Sequence, residues 1–179
     1  MSVIPKTCLL LIMLSLPGLT AQPAFSGTAT QAPDHWYLKR DDGHWCSYAS
    51  KTDWEAASTY QSATARFAEN MPQSIHVEGG DESGDWYLID DYTLDNGRIV
   101  RLDRRYNTFS DGGVSLYENY EVKNGVARRA SHHMTPLVSE KILPDVPHLD
   151  ANFPVVVRLR DFDFYGVLMQ KPRHGVVCR

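Results

Sequence analysis

His132 and His133 are the first pair with the chemistry to hold a metal, since imidazole nitrogens are common ligands for zinc and related ions. Their adjacency works against it. Neighbouring residues on a strand point to opposite faces, so the two rings cannot easily converge. A second group, Asp81, Glu82, Asp85, Asp90 and Asp91, offers the carboxylate oxygens that calcium prefers. Its spacing matches no calcium loop, and turns select Asp and Gly for backbone reasons alone. We therefore expect no metal and no cofactor. Hydrolysis would need two carboxylates held across a cleft. With 22 Asp and Glu in the chain, chance pairs are to be expected. No Gly-x-Ser-x-Gly elbow, His-Glu-x-x-His, phosphate-binding glycine loop or Cys-x-x-Cys is present. Catalytic residues thus stay unassigned. A small hydrolase or metal-dependent enzyme using carboxylate and His residues is kept as the alternative reading.

The aromatic residues suggest binding rather than turnover. Trp36, Trp45, Trp86, Tyr92 and Tyr120 could line a cavity for a small apolar ligand or a sugar. The same residues could equally fill a β core. Arg104-Arg105 and Arg128-Arg129 could meet a phosphate-bearing partner. The net charge of −4 argues against nucleic acid. Charge is unevenly spread: residues 22–97 carry 4 basic and 13 acidic side chains, residues 98–179 carry 13 and 9. Acidic strands pairing with basic strands in one sheet would account for this.

What must position these groups is a β scaffold. From Asp85 to Arg129 the chain reads strand, Asn96-Gly97, strand, Asp111-Gly112-Gly113, strand, Asn124-Gly125, strand. Asn-Gly suits the two-residue hairpin turn, which needs positive φ at both central positions. Two registers fit the first hairpin. Pairing Asp95 with Arg98 places Leu94 opposite Ile99 and Asp90 opposite Asp103, a like-charge pair. A three-residue loop with a bulge at Gly97 places Asp91 opposite Arg101 and Tyr92 opposite Val100, and is preferred. In the second hairpin Val122 should face Ala127, and Glu121 should face Arg128. The runs Tyr92–Gly97 and Tyr120–Gly125 align at an offset of 28 residues, which also aligns Arg101 with Arg129. Two copies are too few for a stacked repeat array.

Asp41-Asp42-Gly43 marks a further hairpin between residues 36–40 and 44–49. Thr52 with Glu55 fits a capping box, giving a short helix near 53–60, followed by a strand near 62–68; a single long helix is the alternative. Residues 74–78 form a strand, 79–84 a loop. Pro136, Pro144, Pro147 and Pro154 make an irregular connection. Residues 155–160 and 165–169 suggest a last hairpin, and 171–179 a basic tail. The run Ser83-Gly84-Asp85-Trp86, followed by a Tyr-rich strand and an Asn-Gly turn, resembles secreted bacterial proteins and implies no activity.

Lys6, the apolar run Cys8–Leu16, Pro17-Gly18 and Ala21 have the layout of a secretory signal over residues 1–21, too short to span a bilayer. Residues 22–34 read as a disordered leader, and 35–179 as a single β-rich domain with no integral membrane segment. After cleavage two cysteines remain, Cys46 and Cys178, and an oxidising compartment would pair them. Such a bridge brings the chain ends together. The expected protein is therefore mainly β: an antiparallel meander of about nine or ten strands, closing toward a barrel or sandwich, with at most one short helix. It is expected to be exported, periplasmic or secreted. Its expected role is a non-enzymatic binding or interaction module of the bacterial cell envelope, with a small ligand or an envelope protein as partner.

Overall fold

Nine antiparallel strands form one sheet in the computed structural model, which describes residues 35–57, 59–109, 113–139, 141–144, 153–170 and 175–179. The signal and leader assigned to residues 1–34, most of the turn at 111–113 and the start of the basic tail lie outside these residues. The strands are β1 (His35–Lys39), β2 (Trp45–Tyr48), β3 (Gln61–Ala68), β4 (Met71–Gly80), β5 (Trp86–Asp95), β6 (Arg98–Thr108), β7 (Val114–Lys123), β8 (Val126–Pro136) and β9 (Val176–Cys178). Their order is β8-β7-β6-β5-β4-β3-β1-β2-β9, so the long strands β3 to β8 run as an uninterrupted meander. The sheet stays open. Cys46 and Cys178 do form a disulfide, but it joins β2 to the neighbouring edge strand β9 and does not close a barrel. Trp45 and Arg179 exchange both backbone hydrogen bonds, which leaves Cys46 and Cys178 as the next, non-hydrogen-bonded pair. Cα atoms come closest at such positions, here to 4.0 Å.

The turns follow their residue types. Asn96 and Gly97 (φ 49° and 72°) and Asn124 and Gly125 (φ 55° and 74°) take the left-handed conformations that a type I′ turn demands. The second hairpin pairs Val122 with Ala127 and Glu121 with Arg128, as the sequence implies. The first hairpin follows neither proposed register throughout. Asp95 pairs with Arg98 and Leu94 with Ile99; Val100 then bulges out, and Thr93 faces Arg101. The bulge shifts the remaining register by one, so Asp90 faces Arg104 rather than Asp103.

Helical structure is brief. α1 (Lys51–Ala56) starts two residues earlier than Thr52 suggests: Ser50 is the N-cap, accepting from the Asp53 amide and donating to the Asp53 carboxylate. Gln61–Ala68 is a strand, so no long helix forms. The last hairpin expected at 155–169 is also absent. Residues 153–158 run without regular structure, a 3₁₀ turn covers Leu159–Asp161, and α2 spans Tyr165–Leu168. Burial explains this: Phe162, Phe164, Val167 and Leu168 all turn inward, which a two-residue alternation cannot achieve. The Tyr37 hydroxyl donates to the Leu168 carbonyl at 2.9 Å and ties α2 to β1.

One cross-strand row defines the inner face. It runs Val177, Ser47, Tyr37, Ala63, Val77, Asp90, Arg104, Glu118, His132, one residue from each strand. Directly paired residues share a face. Half of this row is apolar or small, and its Tyr37, Ala63 and Val77 belong to one cluster with Phe162, Phe164, Val167 and Leu168. The other half alternates in charge and is nevertheless buried at Asp90, Arg104 and Glu118. A separate cluster on the outer face, Leu38, Cys46 and Tyr48 with Trp36 and Trp54, is covered by α1.

Candidate functional site

The charged half of the row is built by strand length. Asp90, Arg104, Glu118 and His132 are each 14 residues apart, the length of one strand plus its turn with a constant register. Arg104 donates from Nε and Nη2 to the two oxygens of Asp90, both at 2.7 Å. Its Nη1 donates to the Phe153 carbonyl at 2.8 Å and its Nη2 also to the Pro154 carbonyl at 3.3 Å. The guanidinium thus pins the irregular segment 153–157 across the sheet. Burial works against the charge of Arg104, yet the Asp90 hydrogen bonds and charge more than offset it, and its pKa lies above the ordinary value. Tyr92 donates to Asp90 at 3.0 Å, and burial followed by the Asp90 charge pushes its phenol well up.

Glu118 repeats the arrangement one hairpin along. Tyr120 donates to it at 2.9 Å and Arg129 at 2.8 Å, with His132 Nδ1 at 3.4 Å. Burial, then the Glu118 hydrogen bond, pushes the Tyr120 phenol up to about 12. On the outer face His76 sits between Asp91 (2.6 Å) and Glu78 (2.8 Å), and these hydrogen bonds, that of Asp91 first, raise its pKa to about 9.

Beside the Asp90–Arg104 pair lies a cavity of about 350 Å³. Two aromatic groups contribute to it. Trp86 and Phe153, with ring centroids 5.0 Å apart, belong to one. Trp45, Phe162 and Phe164 belong to the other, Trp45 meeting Phe164 at 4.9 Å and Phe162 meeting Phe164 at 5.0 Å. Asp90, Tyr92 and Arg104 supply a polar part of the wall, and Asp161 and Asp163 line it from exposed positions. Trp45 is only 6 % exposed, and its indole Nε1–H finds no hydrogen-bond partner among the described residues.

Of the five aromatic residues singled out in the sequence, Trp45, Trp86 and Tyr92 line this cavity. Trp36 packs against the outer-face cluster, and Tyr120 stands over Glu118 one hairpin away. His132 and His133 separate as expected: His132 turns toward Glu118, while His133 stacks on Tyr117 with the planes 7° apart. Asp90 and Asp91 likewise part to opposite faces, and Asp81 caps its own turn by accepting from Ser83. No group of three or more His, Cys, Asp or Glu among the described residues could hold a metal. Sequence reasoning missed Arg104 as a buried anchor, and it missed Phe153, Phe162 and Phe164 as cavity wall. The 14-residue spacing was the available signal for the first. In sequence, Phe162 and Phe164 fall in the turn of a last hairpin, which hid the second. No protein-family model, curated protein or solved structure matches the chain.

Proposed function

We propose that this domain is a non-enzymatic binding module that takes a small ligand in the cavity between Trp86 and Phe164. The reading rests above all on the aromatic wall: Trp45, Trp86, Phe153, Phe162 and Phe164 line one cavity of about 350 Å³ beside the buried Asp90–Arg104 pair. The volume falls in the range of small-molecule pockets, and an apolar lining with few fixed polar groups is their usual make-up. The Arg104 guanidinium holds segment 153–157 over the sheet, so the wall is formed in advance of binding.

We further propose that the protein works outside the cytoplasm, in the periplasm or beyond, as a component of the bacterial envelope. Residues 1–21 have the layout of a signal, and the Cys46–Cys178 disulfide suits an oxidising compartment. No helix among the described residues is long and apolar enough to cross a membrane.

Native mass spectrometry of the full chain, expressed in a bacterium and recovered from the exported fraction, tests both parts. A native adduct that is missing from the denatured spectrum and from Trp86→Ala supports a ligand in the cavity. An adduct unaffected by Trp86→Ala moves the site elsewhere. A chain that keeps residues 1–21, or that carries free thiols, ends the envelope assignment.

A further inference from the structure

We infer that the ligand class of this cavity is an organic cation: a protonated or quaternary amine carried on an apolar body. The inference rests on the ligand site proposed above and adds its chemistry. The argument begins with what the wall can offer. Arg104 is the one cation among the described lining residues. Its Nε, Nη1 and Nη2 all donate to Asp90 or to the Phe153 and Pro154 carbonyls, which leaves little for a ligand anion. Four acidic residues contribute to the same lining, but the Glu78 carboxylate turns to the outer face with His76, which leaves Asp90, Asp161 and Asp163. Asp90 is matched by Arg104, and Glu78 by His76, whose hydrogen bond is the main cause of the lowered Glu78 pKa. Asp161 and Asp163 remain on the solvent side. Among the described residues, the only ion pair of Asp161 is a 3.9 Å contact with the exposed Arg160.

Aromatic walls and carboxylates together select for positive charge. A cation over the face of an indole or phenyl ring is attracted by the ring quadrupole, most strongly when it is desolvated. Trp45, Trp86, Phe153, Phe162 and Phe164 supply such faces, and Asp161 and Asp163 supply the field that draws a cation toward them. A sugar would need several directed polar groups, but Asp90, Tyr92 and Arg104 already bond one another. The apolar body of the ligand packs among the rings, while the ammonium faces the rings and carboxylates.

The test uses two probes of one shape. Benzyltrimethylammonium and neopentylbenzene, its uncharged carbon isostere, are titrated into the disulfide-intact protein. The indole N–H signals of Trp45 and Trp86 are followed by nuclear magnetic resonance. The cation should bind about tenfold or more tightly than the isostere, the difference expected for a desolvated cation–π site. Asp161→Asn with Asp163→Asn, both at exposed positions, should weaken the cation several-fold and leave the isostere unchanged. Equal affinity for the two probes, or a cation affinity untouched by the double variant, overturns the inference but leaves the cavity as a ligand site. If neither probe moves the Trp45 and Trp86 signals, the ligand site falls with it.

Discussion

The hairpins β5–β6 and β7–β8 share a sequence plan and differ in where the extra residue is placed. In the first, the bulge comes directly after the Leu94–Ile99 pair; in the second, it comes two pairs later, after Tyr120–Arg129. A shift of one residue sends a side chain to the other face. Arg101 and Arg129, aligned at 28 residues, therefore part company. Arg101 lies outside and donates to Asp103, whereas Arg129 lies inside and donates to Glu118. Beyond the bulges the faces agree again, and Asp90 with Arg104 occupies the positions of Glu118 with His132. Two residues that align need not meet the same environment, because a bulge between them resets the pleat.

Cover separates the hairpins further. Segment 153–157 lies on the first pair, and Arg104 is buried to 2 % exposure, while the Arg129 side chain remains 44 % exposed. The sharpest way to break this comparison is to truncate each arginine and measure denaturant unfolding. Arg104→Ala should cost about 3–5 kcal/mol, because it strands the Asp90 carboxylate and releases two carbonyls. Arg129→Ala should cost only about 1–2 kcal/mol, since Tyr120 and His132 still serve Glu118 and water can enter. Equal losses would mean that cover does not decide the energetics.

The paired replacement Asp90→Leu with Arg104→Met should recover most of that loss, to within about 2 kcal/mol of the parent, because buried ion pairs are often matched by apolar packing. Failure to recover would assign the larger share to the Phe153 and Pro154 carbonyl bonds. Tyr92→Phe removes a buried hydroxyl from Asp90 and should cost about 1–1.5 kcal/mol, against about 0.5 kcal/mol for Tyr120→Phe. The melting temperatures of the two variants rank the hairpins independently of the arginines.

The smallest effect concerns the outer face of β4. His76 titrates near 9 in the folded chain against 6.5 as a model group, chiefly through its hydrogen bond to Asp91. Its folded pKa is raised, so its contribution is fully present below pH 6.5 and is lost as pH rises through about 9. Glu78 shares the interaction from the other side, and its lowered pKa removes the contribution again in acid. The melting temperature should decline modestly between pH 6.5 and 9, and His76→Gln should flatten that decline. An unchanged slope in the variant would show that the exposed pair contributes nothing.

Turn chemistry carried most of what was legible beforehand. Asn96-Gly97, Asn124-Gly125 and Asp41-Asp42-Gly43 each mark a hairpin, and Cys46 and Cys178 name their own bridge. The bulge at Val100 was not legible, because no special residue type marks it; the gain that selects it is the contact of Asp90 with Arg104, far along the strand. The like-charge pair did not vanish but moved to Asp91 and Asp103, where His76 and Arg101 serve one carboxylate each. Ser50 outcompeted Thr52 as a cap because its hydroxyl both accepts from the Asp53 amide and donates to the Asp53 carboxylate. The cavity wall was read least well, since Phe153, Phe162 and Phe164 depend on contacts with strands about 50 to more than 100 residues away in the chain, which local periodicity does not encode.

The bridge at the edge of the sheet also fixes how the protein would bear a mechanical load. Tension applied between residues before Cys46 and residues after Cys178 passes through one S–S bond. Strands β3 to β8 lie within the closed loop and cannot be drawn out while the bridge holds; they meet the load only sideways, through the pairing of β1 with β3. With the bridge intact, the 132-residue separation between the cysteines is hidden length. Once the bridge is reduced, the same pull can draw out about 45 nm of extended chain. Oxidised, the domain is a short tether; reduced, it is a long one.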